Sequence, residues 1–151
     1  MSTDLEKELQ QLDNWLTPLI ESLSAKERRV LAREVARDLR IANRERIKAQ
    51  TNPDGTPFEP RKQLRGRSGA IRRKAMFKKL GTAKYLKMKT SADEAAVEFR
   101  GQVARIARVH HYGLRDRVEK GGPIHQYARR ELIGITTKDA DHVANSVLNH
   151  L

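Results

Sequence analysis

The chain has 151 residues, with 31 Lys and Arg against 19 Asp and Glu and a formal net charge of +12. A chain of this length fits one domain that buries about two-thirds of its unfolded surface; with aromatics at 5%, its core must be aliphatic and carried mostly by helices. There is no cysteine, which excludes disulfides, Cys-ligated zinc, iron–sulfur clusters and thiol nucleophiles.

The N-terminal stretch is acidic and lacks an apolar h-region, so no signal peptide is expected. No apolar run approaches the ~18 residues that a bilayer span takes, and a soluble, intracellular chain is the expectation. Leu5, Leu9, Leu12, Leu16, Leu19 and Leu23 recur at helical spacing and predict one apolar stripe along a first helix. That stripe packs on its own domain or on a neighbouring subunit, and Leu5, Leu9, Leu12, Leu16 and Leu19 are the candidate subunit contacts. Thr17-Pro18 reads as an N-cap followed by proline at the first helical position, so a break or kink is expected there. Ser24 and Glu27 form a capping box that opens a second helix, with Leu31, Val35, Leu39 and Ala42 on its apolar face. Asn52-Pro53-Asp54-Gly55 is a turn signal that ends this helix near Gln50.

From Thr56 to Gly69 the prolines and glycines predict an extended loop anchored by Phe58. A short helix with Ile71, Met76, Phe77 and Leu80, stopping at Gly81, is expected next. Tyr85–Thr90 and Ala95–Arg100 alternate in hydrophobicity around Ser91-Ala92-Asp93-Glu94 and predict a β-hairpin. Gln102–His111 has helical period, with Val103, Ile106 and Val109/His110 on one side and Gly113 ending it. Arg115–Gly122 reads as a charged loop, and a third strand is expected within Ile124–Ile135. Thr136 or Thr137 with Asp139 caps a last helix whose stripe is Ala140, Val143, Ala144, Val147, Leu148 and Leu151. The fold class is therefore α+β: long N-terminal helices, a small antiparallel β-sheet built on a central hairpin, and further helices including a C-terminal one. One domain over 1–151 is expected, divided into a helical region 1–51, a basic Pro/Gly loop 52–70 and an α+β body 71–151.

The charge is uneven. Twelve basic residues and no acidic one lie between Arg61 and Lys89, and the rest of the chain is neutral in sum. Folding alone does not require this; it points to a polyanion or an acidic protein surface. Arg61, Lys62, Arg65, Arg67, Arg72, Arg73 and Lys74 are the candidate partner or DNA contacts. Known catalytic patterns are missing: there is no G-x-S-x-G, no P-loop and no paired-carboxylate spacing beyond helix-surface pairs. His110-His111 resembles the start of an HNH nuclease motif, but no Asn lies between His111 and His125, so the match fails. A packing or hydrogen-bonding role at a helix C-terminus suits these histidines better than a metal. No RNP, KH or zinc-finger pattern accompanies the basic stretch, so only sequence-independent phosphate contact is supported.

Four segments in order resemble the phage virion morphogenesis family, the tail-completion proteins of contractile-tailed temperate phages. They are Asn52–Arg61 after an Arg-rich helix, Met76–Leu80 with Tyr85-Leu86, Val103–His110 running into Tyr112–Asp116, and Tyr127–Gly134 before the terminal helix. The resemblance spans essentially the whole chain. It implies a structural protein that completes the head-proximal end of the tail and makes it competent for head–tail joining, with no enzymatic activity and no cofactor. It also implies a homo-oligomeric ring, with a hexamer favoured, stacked against the tail tube or tail terminator and the head connector. The place is then the virion neck, with the host cytoplasm during assembly. The basic segment would dock on an acidic face of those proteins or contact DNA in the channel, and docking is favoured because a lumen that grips DNA would slow ejection. A sequence-independent nucleic-acid-binding protein acting through 61–89 is the alternative.

Overall fold

A computed structural model describes residues 2–60 and 75–151. It has four helices and two antiparallel two-stranded sheets, the α+β class expected from the sequence. The elements are α1 (Ser2–Glu21), α2 (Ala25–Lys48), β1 (Leu86–Thr90), β2 (Ala95–Phe99), α3 (Val103–Tyr112), β3 (Arg115–Arg117), β4 (Ile124–Gln126) and α4 (Thr137–Asn149). The chain divides into two compact units: Met1–Ala42 with Lys87–Glu98 and Ile135–Leu151, and Asn43–Leu86 with Phe99–Gly134.

The first unit is a helical layer with the central hairpin. Its core is Leu16, Leu23, Leu31, Val35 and Val147, with Leu12, Leu19, Leu39, Val143 and Ala144 packed against it. Much of the leucine stripe of α1 is therefore spent inside its own unit, while Leu5 and Leu9 are half-buried. Contrary to expectation, α1 does not stop at Thr17: it runs through Pro18 to Glu21, and Thr17 Oγ1 donates to Asp13 Oδ1 instead of capping a new helix. Proline here removes one hydrogen bond in the last turn, and Leu16 and Leu19 on either side of it pack in the core.

The predicted capping box is present. Ser24 Oγ accepts from Glu27 N at 3.2 Å, and Glu27 Oε2 accepts from Ser24 N at 2.9 Å. The matching box on α4 pairs Thr136 with Asp139. Arg28 Nη1 donates to Leu23 O and Nε to Ala92 O, both at 3.2 Å, tying the β1–β2 turn to the α1–α2 corner. Two histidine–carboxylate pairs join α4 to α2: His142 Nε2 with Asp38 Oδ2 at 2.8 Å, and His150 Nε2 with Glu34 Oε2.

The second unit packs Phe58, Met76, Leu80, Ala107 and Leu132, with Phe77, Phe99 and Val103 around them. On α3, Val109 is buried and Val103 and His110 are half-buried as expected, but Ile106 is 51% exposed; Ala107, one position on, is buried in its place. The helix expected around Met76–Leu80 is also corrected. Among the described residues 75–85 are turns, because Phe77 adopts φ 63° and helical backbone cannot pass through it; Ile71 lies outside the described residues. Arg115–Gly122 is not wholly loop. Its first three residues form β3, which pairs antiparallel with β4 in the register Arg115↔Gln126, Asp116↔His125, Arg117↔Ile124.

The placement of α1 yields a contrast between neighbouring positions. Leu16→Ala is expected to lose about 2–5 kcal/mol of stability. Trp15→Ser, at a position 52% exposed, should stay within about 0.5 kcal/mol. Urea denaturation of the two variants checks this.

Candidate interaction surfaces

The four segments that carry the family resemblance all fall in the second unit, and hydrogen bonds connect them. The Asn52–Gly55 turn closes through Gly55 N to Asn52 O at 2.9 Å and Asn52 N to Thr56 O at 2.8 Å. Asp54 Oδ1 accepts from both the amide and the hydroxyl of Thr56, which holds its carboxyl below the usual value. The Asn52 side chain then spans outward. Its Nδ2 donates to Thr56 O at 3.2 Å, and its Oδ1 accepts from Glu131 N at 2.8 Å. Asn43, buried on α2, performs the same service one turn of chain further: its Oδ1 accepts from Gly134 N at 2.9 Å and from Arg46 Nη2 at 2.6 Å. Arg46 Nη2 also donates to Gly134 O at 2.7 Å. A side chain at position 134 would meet the Pro53 ring at 2.6 Å, so glycine is required for this approach.

Arg130 is the hub. It is 6% exposed, its Nε donates to Glu59 O at 2.7 Å and its Nη2 to Pro60 O at 3.2 Å. Its backbone N donates to His110 O at 2.8 Å, and Nη1 stands 3.4 Å from His110 Nδ1. The His110 ring meets Phe77 and Tyr127 edge to face, each at 4.8 Å, and Phe58 packs on Phe77 at 5.9 Å. Opposite this, Gln50 grips Met76 twice: Oε1 accepts from Met76 N at 2.7 Å and Nε2 donates to Met76 O at 2.8 Å. Gln50 itself has φ 58°, a left-handed conformation that these bonds help to hold. The chain is clamped immediately before residue 61 by Arg130 and immediately after residue 74 by Gln50.

The candidate contacts Arg61, Lys62, Arg65, Arg67, Arg72, Arg73 and Lys74 lie outside the described residues. The described ones nonetheless show a charge division that a linear count hides. In the first unit 10 Lys and Arg face 13 Asp and Glu, a net of −3; in the second, leaving out 61–74, 14 face 6, a net of +8. Outside 61–89 the same division is −5 against +5, so the neutral remainder read from the sequence is a sum of opposite signs. Three of the second unit's six acidic residues are engaged locally: Asp116 with Arg105 at 2.6 Å, Glu131 with Arg129 at 2.8 Å and Glu45 with Arg44 at 3.4 Å. Arg105, Arg108, Arg115, Arg117 and Lys120 remain at the exposed surface.

Among the described residues no cluster of His, Asp and Glu is arranged to hold a metal, and no helix is long and apolar enough to cross a membrane. The histidines serve packing and pairing.

This chain belongs to the phage virion morphogenesis family, whose sequence model matches residues 7–151. It is similar to tail completion protein S of Escherichia phage P2, at 40% identity over 147 residues that cover 95% of this chain and 97% of the relative. No solved structure matches it.

Two outcomes follow from the site. Arg130→Lys keeps the charge but cannot reach Glu59 O and Pro60 O together, so a loss of about 1.5–3 kcal/mol in thermal stability is expected. Burial holds the His111 imidazole below its ordinary value of 6.5; the Glu131 carboxylate opposes this and the Arg129 guanidinium adds to it. The unfolded chain therefore binds this proton first, so stability is full above about pH 6.5 and declines as pH falls below it. His111→Gln should flatten that decline in a melting series from pH 7 to pH 5.

Proposed function

We propose that this chain is a structural part of the phage virion that completes the head-proximal end of the tail and makes it competent to join the head. The observation that carries this is the 40% identity to a tail completion protein along 95% of the chain. It works as a homo-oligomeric ring, with a hexamer the expected stoichiometry, seated between the tail tube or tail terminator and the head-connector proteins. It needs no cofactor and catalyses nothing. It resides in the virion neck after assembly in the host cytoplasm.

The basic segment is the docking element for that seat. Arg61, Lys62, Arg65, Arg67, Arg72, Arg73 and Lys74 supply its charge, and Arg130 and Gln50 hold Glu59 and Met76 on either side of this stretch of sequence. An acidic face on the tube or connector is the partner that this charge fits. Contact with DNA in the channel is the competing use of the same residues.

Complementation separates these uses. Supplied to cells infected by a phage that lacks its tail completion protein, the wild-type chain should yield joined particles by electron microscopy. Replacing all seven basic residues by Glu should reduce joined particles at least about tenfold, since like charges then face each other. Under docking, the wild-type chain binds duplex DNA only weakly at physiological salt. Tight DNA binding with a steep salt dependence, lost together with joining in the variant, would transfer the segment to the DNA reading.

A further inference from the structure

Beside the leucine stripe of α1 runs a second row at the same helical spacing: Asp4, Glu8, Gln11 and Trp15. The leucines turn inward, which leaves this row at the surface. Trp15 is the only tryptophan of the chain and is 52% exposed. It borders a groove of about 400 Å³ between α1 and α4, lined by Glu8, Gln11, Leu12, Trp15, Thr137, Ala140 and Asp141. Thr137 Oγ1 donates to Glu8 Oε2 at 3.1 Å, which fixes that carboxylate at the groove wall. A groove lined by an exposed indole and by the carboxylates of Glu8 and Asp141 matches a guanidinium. The cation stacks on the ring and its fork of N–H groups meets the acids.

The second unit displays such groups. Arg105, Arg108 and Tyr112 lie at i, i+3 and i+7 on one side of α3 and all are exposed, Tyr112 by 58%. Arg105 pairs with Asp116 at 2.6 Å while its side chain stays largely exposed. Ile106, 51% exposed, flanks the row. Arginine interleaved with tyrosine and isoleucine is the composition of a protein interface rather than of a phosphate-binding face.

We propose that the Trp15 groove between α1 and α4 of one copy receives the Arg105–Arg108–Tyr112 side of α3 from a second copy. The argument is charge complementarity: a unit of net −3 offers an acidic, aromatic groove, and a unit of net +8 offers an arginine-bearing helix face. The two patches differ, so the contact is heterologous. Repeated from copy to copy it propagates and closes into a ring when the rotation allows. This rests on the assembly reading above and moves the subunit contact from the leucine stripe to the row beside it.

The single tryptophan is the reporter. Purified wild-type chain should show a concentration-dependent blue shift of Trp15 emission together with a rise in mass by sedimentation velocity. Both should weaken at high salt. Arg108→Glu and Asp141→Arg, each alone, should weaken association at least tenfold without changing the far-ultraviolet circular dichroism. An equimolar mixture of these two variants should associate again. The Arg108→Glu copy keeps a native groove, the Asp141→Arg copy keeps a native α3, and the remaining pairing has its charges exchanged. A two-fold symmetric pairing of the same two surfaces would recover too, but its mass would stop at a dimer, whereas the heterologous contact grows beyond it. A wild-type chain that stays monomeric by both readouts, or single variants that associate as well as wild type, overturns the proposal. Either result leaves tail completion standing, since that is judged by head–tail joining in lysates. Normal association with no joining would instead remove the assembly reading on which this contact rests.

Discussion

The buried Arg130 guanidinium is the constraint on which the second unit depends. Its donors satisfy Glu59 O and Pro60 O, and its own amide is bound to His110 O. Three stretches distant in sequence are thereby fixed at one point, and Asn52 and Asn43 fix the following residues through Glu131 N and Gly134 N. The unit has an apolar cluster of Phe58, Met76, Leu80 and Leu132 with Ala107, and it also buries Ile47 and Leu86. Side chains that bond main-chain groups add specificity to this apolar packing. Each of these bonds is buried or half-buried, so removing one partner leaves the other desolvated and unsatisfied, the costly case.

The same clamp explains how a strongly basic segment coexists with a defined body. Like charges at this density repel, and Arg130 and Gln50 hold the described residues on either side of them through Glu59, Pro60 and Met76. The second unit is itself positive and the helical unit is negative, which gives the molecule two surfaces of opposite sign. In the proposed assembly, where copies meet one another and other tail components, such a division would supply orientation before close contact.

Much of the fold was legible where the determining interaction is local. The two capping boxes, Ser24 with Glu27 and Thr136 with Asp139, and the Asn52–Gly55 turn follow from side chains that bond backbone within three or four residues. The leucine stripe and the β1–β2 alternation show through simple periodicity. Legibility failed where geometry is non-local. Nothing about Arg-Asp-Arg suggests a strand; β3 exists because β4 pairs with its backbone. Phe77 is apolar and helix-compatible by composition, yet its ring is drawn between Phe58 and His110, with the backbone at positive φ. The clamp was hidden too, though one signal was present. Asn43 falls four residues after Leu39, on the inward stripe of α2, where a polar residue implies a specific partner. Arg130 stood among other arginines, and no spacing distinguished the buried one.

The most direct test of tail completion is add-back with purified parts. Tails assembled without their completion protein are incubated with this chain, then with filled heads, and joined particles are counted by electron microscopy. The account predicts density added at one end of each tail and joining that depends on the chain. Tails that bind none of it and join heads equally well without it would contradict the account.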